Sequence, residues 1–272
     1  MIRAFRCEWT KLWRGRQMLA VWGTMAGMVL FIAAILFGTA TQERETGPQA
    51  SPFVLADFAQ PSGLSLGLQA GAQLLGVVAV VLVAGSMASE YSAGTLKILL
   101  ARDPVRLRVL AGKTAALLAF ATLGVLFAGA MDVVASAGLA AARGVSTSAW
   151  WTHGNLLDLG GLLVRVAVAD WAWGLLGLLL AILLRNGPAA IGIGLAYTIL
   201  GESLLALAVR DVAKYMPGQA LQAFVRWGAP PLGNAGLTTS LSGPEAVAVG
   251  AAYAVLFAGL AAVVFHSRDV AG

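Results

Sequence analysis

The sequence predicts an all-α membrane protein with six transmembrane helices. Hydrophobic residues make up 59% of the 272 positions, charged residues make up 11%, and the mean hydropathy is +0.81. About 20 helical residues cross a bilayer core that is about 30 Å thick, and six apolar runs reach that length. The predicted spans are 19–40, 66–87, 111–135, 160–184, 188–209 and 245–265, in a single transmembrane domain over 1–272.

The distribution of lysine and arginine predicts the orientation. Twelve of the 18 basic residues precede the first span or follow the second, fourth and sixth spans, whereas five lie on the other side and Arg165 falls inside a span. Basic loops stay cytoplasmic, so the sequence predicts a multi-pass plasma-membrane protein with both termini inside. The net charge of +5 is interpreted as a topology signal that also attracts membrane lipids, and nucleic acid is not an expected partner.

Residues 1–18 predict an amphipathic helix that lies in the membrane interface. One face carries the apolar side chains Ile2, Phe5, Trp9, Leu12 and Trp13, and the other face carries the basic side chains Arg3, Arg6, Lys11 and Arg14. Tryptophan opposite basic residues is typical of a helix at headgroup level. The periodicity leaves two roles open, a basic anchor that sets the topology or an elbow helix that packs beside the following loop.

The polar loop 88–110, between the second and third spans, has the pattern of a structured protrusion. Residues 90–100 predict a short helix broken at Gly94, and Asp103-Pro104 predicts an N-cap followed by proline at the first position of the next helix. A helix, a tight stop and a capped restart favour docking of a partner protein.

These two segments together resemble the membrane subunit of type-2 ABC exporters (the ABC-2 transporter family). The resembling residues are Glu8-Trp9-Thr10-Lys11-Leu12, Glu90, Gly94-Thr95-Leu96, Leu99-Leu100, Pro104-Val105-Arg106 and Gly112-Lys113. The resemblance implies the six-span fold of that family, with an interfacial helix and a cytoplasmic coupling helix. It also implies that the coupling residues touching an ATPase are Glu90, Gly94, Thr95, Leu96, Leu99, Pro104 and Arg106. The segment 210–244 matches no family pattern, and we expect it to be extracytoplasmic or re-entrant.

The expected activity is therefore export of a small amphiphilic, lipid-like, drug or peptide substrate, with a second permease subunit in a homodimer or heterodimer. Two ATP-binding subunits would bind ATP and magnesium, because this chain has no nucleotide-binding motif of its own. Gly112-Lys113-Thr114 resembles the end of a P-loop, but Leu107 stands where that motif needs glycine. No metal site or other cofactor is expected, since the chain has only two histidines and one cysteine.

Four charged residues, Asp132, Arg165, Asp170 and Glu202, fall inside the predicted spans, where each is costly in lipid. We expect Arg165 to pair with Glu202 or Asp132. Three interpretations stay open: a structural ion pair, snorkelling of Arg165 to the interface, or a polar lining of the transport path. Asp170 near the midplane keeps an ion-coupled secondary transporter as an alternative, and Asp132 with Asp170 keeps an intramembrane enzyme as a weaker one.

Two pairs of glycines are spaced to allow close approach of helices. They are Gly23 with Gly27 in the first span and Gly67 with Gly71 in the second. The spacing is compatible with a subunit interface at these two spans, although some such spacings are expected by chance among 33 glycines.

Overall fold

The computed structural model describes residues 1–41, 54–95, 105–202, 204–205, 209–227 and 241–267. In these residues all regular structure is helical, apart from one isolated bridge between Thr41 and Val54. The helices are α1 (Ile2–Leu12), α2 (Gly15–Thr39), α3 (Leu55–Phe58), α4 (Leu66–Ser92, preceded by the 3-10 turn Pro61–Ser65), α5 (Arg106–Ala142), α6 (His153–Leu184), α7 (Gly187–Ala196), α8 (Arg210–Ala213), α9 (Pro217–Val225) and α10 (Gly243–Ser267).

Among the described residues, five helices are long and apolar enough to cross a membrane, namely α2, α4, α5, α6 and α10. This confirms the predicted helical class for that part of the chain and is compatible with a multi-pass membrane protein. The predicted span 188–209 corresponds instead to a shorter apolar helix, Gly187–Gly201, in the described residues. Its regular α-geometry ends at Ala196, where the π-turn Tyr197–Gly201 begins, so a sixth span stays a prediction.

The interface between α4 and α6 forms the centre of the bundle. Both helices are mostly buried, whereas α2 and α10 expose most of their apolar windows. Glycine makes the close approach possible: the indole of Trp173 on α6 lies against Gly76 of α4, and a Cβ at Gly177 would come 2.7 Å from the Val80 carbonyl oxygen. These two contacts fix how α4 and α6 pack.

Two short helices cover opposite ends of the bundle. At the end where α4 finishes and α5 begins, α1 packs against α5, with Leu12 fully buried and Gly112 close to the Met1 carbonyl group. We call this end the α1 end. At the other end, α9 lies among the longer helices and buries Leu221 and Val225 in the core. Pro217 stands in the first turn of this helix, where proline is favoured.

The structure corrects the start of the predicted coupling helix. Glu90 belongs to the last turn of α4, which ends at Ser92. Gly94 has a φ of +66°, a left-handed conformation that glycine adopts without strain, so it stops α4 and does not interrupt a helix that begins at Glu90. Leu96, Leu99, Pro104 and the proposed Asp103 cap lie outside the described residues, and the described part of the next helix begins at Arg106.

The two glycine pairs differ in what they contact. Gly67 and Gly71 pack against Val29 of α2 in the same chain, whereas Gly23 and Gly27 have open space where a side chain would project. The second pair of the sequence therefore serves packing within one bundle.

Candidate functional site

Four charged side chains at the α1 end form a closed ring of alternating sign. Lys11 Nζ lies 3.3 Å from Glu8 Oε2 and 2.8 Å from Glu90 Oε1. Lys113 Nζ lies 2.9 Å from the same oxygen of Glu8 and 2.7 Å from the same oxygen of Glu90. We call these four residues the charge ring. It carries no net charge and joins α1, α4 and α5.

The ring is formed because each helix presents its charges at a defined place. Glu8 and Lys11 are three residues apart on α1 and so lie on one side of that helix. Glu90 stands in the last turn of α4 and Lys113 about two turns into α5. Since α1 crosses both helix ends, all four side chains meet.

Three members of the ring are almost fully buried, and this makes their pairing necessary. Glu8, Glu90 and Lys113 are 4%, 3% and 4% exposed, whereas the side chain of Lys11 is 43% exposed. A buried charge that loses its partner is strongly destabilising. The ring therefore depends most on Lys113, the buried cation that touches both acids.

Ser86 on α4 completes the environment of Glu8 by donating a hydrogen bond of 2.6 Å to Glu8 Oε1. By contrast, Glu90 Oε2 is buried and has no hydrogen-bond partner in the described part of the chain. Glu8 is thus the better satisfied of the two acids.

The ring shifts the pKa values of Glu8 and Lys11, its two members on α1. Burial acts to raise the pKa of Glu8, but the charge of Lys113 and the Ser86 hydrogen bond outweigh it, and the pKa is lowered from 4.5. Burial acts to lower the pKa of Lys11, but the hydrogen bond to Glu90 and the charge of Glu8 raise it above 10.5. Both groups are held in their charged forms.

Aromatic side chains extend the contact of α1 along the bundle. Phe5 stacks on Trp9 with ring centroids 5.5 Å apart, Trp9 lies 5.8 Å from Trp13, and Trp13 lies 5.6 Å from Trp22 of α2. Trp22 continues the series to Phe120 of α5 at 5.3 Å. Part of the predicted apolar face of α1 therefore packs against the protein. Ile2, at the start of the helix, is the exception and is 75% exposed.

The basic face of α1 separates into two groups. Arg3, Arg6 and Arg14 are exposed, as expected for contact with headgroups, and Cys7 is exposed beside them. Lys11 instead points to Glu90. This contact is compatible with the elbow interpretation, in which α1 packs beside the protrusion over 90–100.

Sequence reasoning missed Glu8, Lys113 and Ser86 as members of a site, although the first two stood in the resembling motifs. The position of Glu8 on α1 could have indicated its burial. Glu8 lies about 40° from the apolar Leu12 on the helical wheel, so the two side chains share one face. For Lys113 the signal was a lone cation with apolar residues on both sides along α5. Ser86 gave none.

At the opposite end of the bundle, two of the predicted intramembrane acids cap helices of the same chain. Asp132 on α5 is fully buried, and its Oδ2 accepts a 2.9 Å hydrogen bond from the backbone N–H of Leu68 in the first turn of α4. Glu202 accepts backbone hydrogen bonds of 2.7 Å from Gly218 and 3.2 Å from Gln219 in the first turn of α9. Carboxylates at helix N-termini satisfy free N–H groups and oppose the helix dipole.

The expected ion pair of Arg165 with Glu202 or Asp132 does not form. Arg165 Nε donates a 3.2 Å hydrogen bond to the carbonyl group of Val225, the last residue of α9. Arg143 acts similarly, with Nη2 bonds of 2.8 Å to the Phe37 carbonyl and 3.1 Å to the Ala40 carbonyl at the end of α2. The reason is that helix ends supply nearer partners than the opposite charges do.

Asp170 has a different environment from the other acids. It is 1% exposed in the middle of α6, and neither of its carboxylate oxygens has a hydrogen-bond partner among the described residues. Trp173 and Gly174, one turn further on, pack against Gly76 and Val83 of α4, so Asp170 lies on the same face of α6. An unpartnered buried carboxyl group at this depth is a functional candidate.

Across the described ranges, no group of three or more His, Cys, Asp or Glu residues could hold a metal ion.

The described residues are helical, and their five long apolar helices are compatible with a multi-pass membrane protein. The chain belongs to a family described as a protein of unknown function, DUF2705, whose sequence model matches residues 28–271. The match contains Glu90, Lys113 and all four intramembrane charges but begins after α1, so it leaves out Glu8 and Lys11. No match is found among curated proteins.

Proposed function

We propose that this chain is the membrane-spanning permease subunit of an ATP-driven exporter. In this proposal the α1 end is cytoplasmic, and a separate subunit binds ATP and magnesium and docks on the loop over 89–113. Two permease subunits would form the path for a small amphiphilic, lipid-like, drug or peptide substrate. The charge ring is the observation that carries the proposal, because it ties the two helices flanking that loop to the interfacial helix.

The ring suits transmission of force from a docked partner. The loop connects the end of α4 to the start of α5, and Glu90 and Lys113 are linked directly and through Glu8 and Lys11. Because buried ion pairs are costly to separate, a push on the loop would move the ends of α4, α5 and α1 together. The α4 helix packs along α6 in the core, so the displacement would reach the centre of the bundle.

The docking test needs an exposed residue outside the ring, since Glu90 is buried and its replacement would disturb folding directly. Arg108 is exposed in the first turn of α5. We expect Arg108→Glu to leave the chain folded but to abolish co-purification, from its native membrane, of a subunit that carries a P-loop and hydrolyses ATP. Lys214→Glu at the other end of the bundle is the matched control and should retain that subunit.

The proposal is overturned if the native chain co-purifies with no ATP-hydrolysing subunit. Normal recovery of that subunit by Arg108→Glu would contradict docking at this loop. Thermal unfolding of both variants in detergent distinguishes lost docking from lost folding.

Asp170 favours a second candidate, an ion-coupled secondary transporter, because proton-coupled carriers use buried ionisable groups inside the bundle. Asp132 and Glu202 do not extend a relay from it, since both are hydrogen-bonded to helix ends. In proteoliposomes with an imposed pH gradient, a carrier would show proton flux that Asp170→Asn abolishes. We expect no such flux from the permease subunit alone.

A further inference from the structure

A polar cavity opens at the end of the bundle opposite α1. Its volume is about 340 Å³, and its walls come from the 3-10 turn before α4, the first turns of α6, and Trp227 after α9. This volume is at the lower end of the range for small-molecule sites, so the cavity accommodates a headgroup or a small molecule. The charge ring lies at the other end and takes no part in it.

Two opposite charges line this cavity without neutralising each other. Asp158 and Arg165 both belong to α6 and are seven residues apart, which is two turns on the same face and about 10 Å along the axis. The charge of Asp158 acts on Arg165, but the two side chains form no ion pair. The Nε of Arg165 is bonded to the Val225 carbonyl, which holds the guanidinium in place and leaves its terminal nitrogens for a ligand.

A buried glutamine also lines the cavity. Gln69 is 5% exposed, its Nε2 donates to Ser65 Oγ at 3.2 Å, and its Oε1 has no hydrogen-bond partner in the described residues. Because buried polar atoms are normally satisfied, this oxygen indicates a donor that the chain itself does not supply. An ammonium group of a ligand would satisfy it.

We infer that the cavity binds a zwitterionic headgroup, with its phosphate on Arg165 and its ammonium near Asp158 and Gln69. Neighbouring side chains indicate a lipid as the source. Trp151, Leu156 and Leu157 on the adjoining turns are 51%, 45% and 63% exposed, so an apolar surface for acyl chains borders the polar cavity. The inference does not depend on the exporter proposal, because binding is a property of this chain alone.

Native mass spectrometry of the purified full chain tests this, with phosphatidylethanolamine or phosphatidylglycerol added in detergent. We expect the zwitterionic lipid to be retained at least about tenfold better, which corresponds to one charge-assisted contact. Asp158→Asn should bring the ratio close to one, because it removes the partner of the ammonium group. Arg165→Gln should instead weaken retention of both lipids, because both carry the phosphate. Glutamine can still donate to the Val225 carbonyl, so the second variant keeps its structural contact. Lys214→Gln and Glu245→Gln remove one charge of each sign outside the cavity and should retain the preference.

Equal retention of the two lipids by the native chain would overturn the inference. So would an unchanged preference in Asp158→Asn, or unchanged retention of both lipids in Arg165→Gln. Free O-phosphoethanolamine distinguishes the sources. If it displaces the lipid only at concentrations far above that of the lipid, the acyl chains contribute and a lipid ligand is supported. If it binds as tightly as the lipid, the ligand is a soluble zwitterion and the lipid assignment is wrong.

Discussion

The two ends of the bundle neutralise their charges in different ways. At the α1 end, acidic and basic side chains pair with each other across three helices, and Lys113 bridges Glu8 and Glu90. At the other end, the charges pair with backbone groups, as Asp132 does with the start of α4 and Arg143 with the end of α2. The first arrangement forms only when side chains from three helices meet. The second needs only one side chain and one helix end.

This difference has a mechanical consequence. A side chain that caps a helix fixes the position of a single helix end. If the helix moves, little free energy is needed to form the same kind of contact at another position. A closed ring of buried charges must move as a unit or break as a unit, since each member is the partner of two others. The α1 end is therefore the better place to couple an external event to the bundle.

The largest effect is expected from removing the buried cation of the ring. Lys113→Met leaves Glu8 and Glu90 with only Lys11 and should lower the free energy of unfolding by about 3–5 kcal/mol. Lys11→Met removes the partner whose side chain is 43% exposed and should cost about 1 kcal/mol or less. Chemical denaturation in detergent micelles measures both.

A double variant sharpens this result. Combining Lys113→Met with Glu8→Gln leaves Glu90 paired with Lys11 and should recover part of the loss, so the two changes will not be additive. Equal, additive losses from all the single variants would contradict the ring as a cooperative unit.

A smaller effect is expected at the opposite end, where one cap is removed at a time. Asp132→Ala leaves the Leu68 N–H without its acceptor and should cost about 1–2 kcal/mol, the usual range for loss of an N-cap. Asp132→Asn retains an oxygen at that position and serves as the control, with most of the stability kept. If Asn is as damaging as Ala, the negative charge matters more than the hydrogen bond.

Much of the helical fold could be predicted from the sequence, because the length of an apolar run is a local property. The α2, α4, α5, α6 and α10 helices each contain one predicted span. The π-turn at Tyr197–Gly201 was not predictable, since no proline marks it. The exact end of α4 was also missed, although Gly94 was recognised as a break.

Predicting the sites was harder, because partners come from distant parts of the chain. Arg165 was expected to seek an acid, and nothing in its neighbourhood along the sequence indicates the end of α9, sixty residues away. Glu90 was singled out as a contact for an ATPase, whereas in the structure it is buried. Its burial follows from the position of α1, and Glu8 alone does not determine that position.

The smallest expected effect is the pH dependence of the ring, because opposing influences partly cancel in each pKa shift. Glu8 has a folded pKa below 4.5, so its contribution to stability is present above pH 4.5 and is lost as the pH falls through the folded value. Lys11 has a folded pKa above 10.5, so its contribution is present below pH 10.5 and is lost as the pH rises through the folded value. We expect Glu8→Gln to flatten the acid side of the stability profile and Lys11→Met to flatten the alkaline side. Thermal unfolding in detergent across pH 3–11 measures both.

Ser86→Ala tests the same carboxylate without removing it. The variant should shift the acid loss of stability to higher pH, because it removes a hydrogen bond that favours the charged form of Glu8. An acid side unchanged in both Glu8→Gln and Ser86→Ala would mean that Glu8 does not contribute its charge to stability, and the ring would then rest on Glu90 and Lys113 alone.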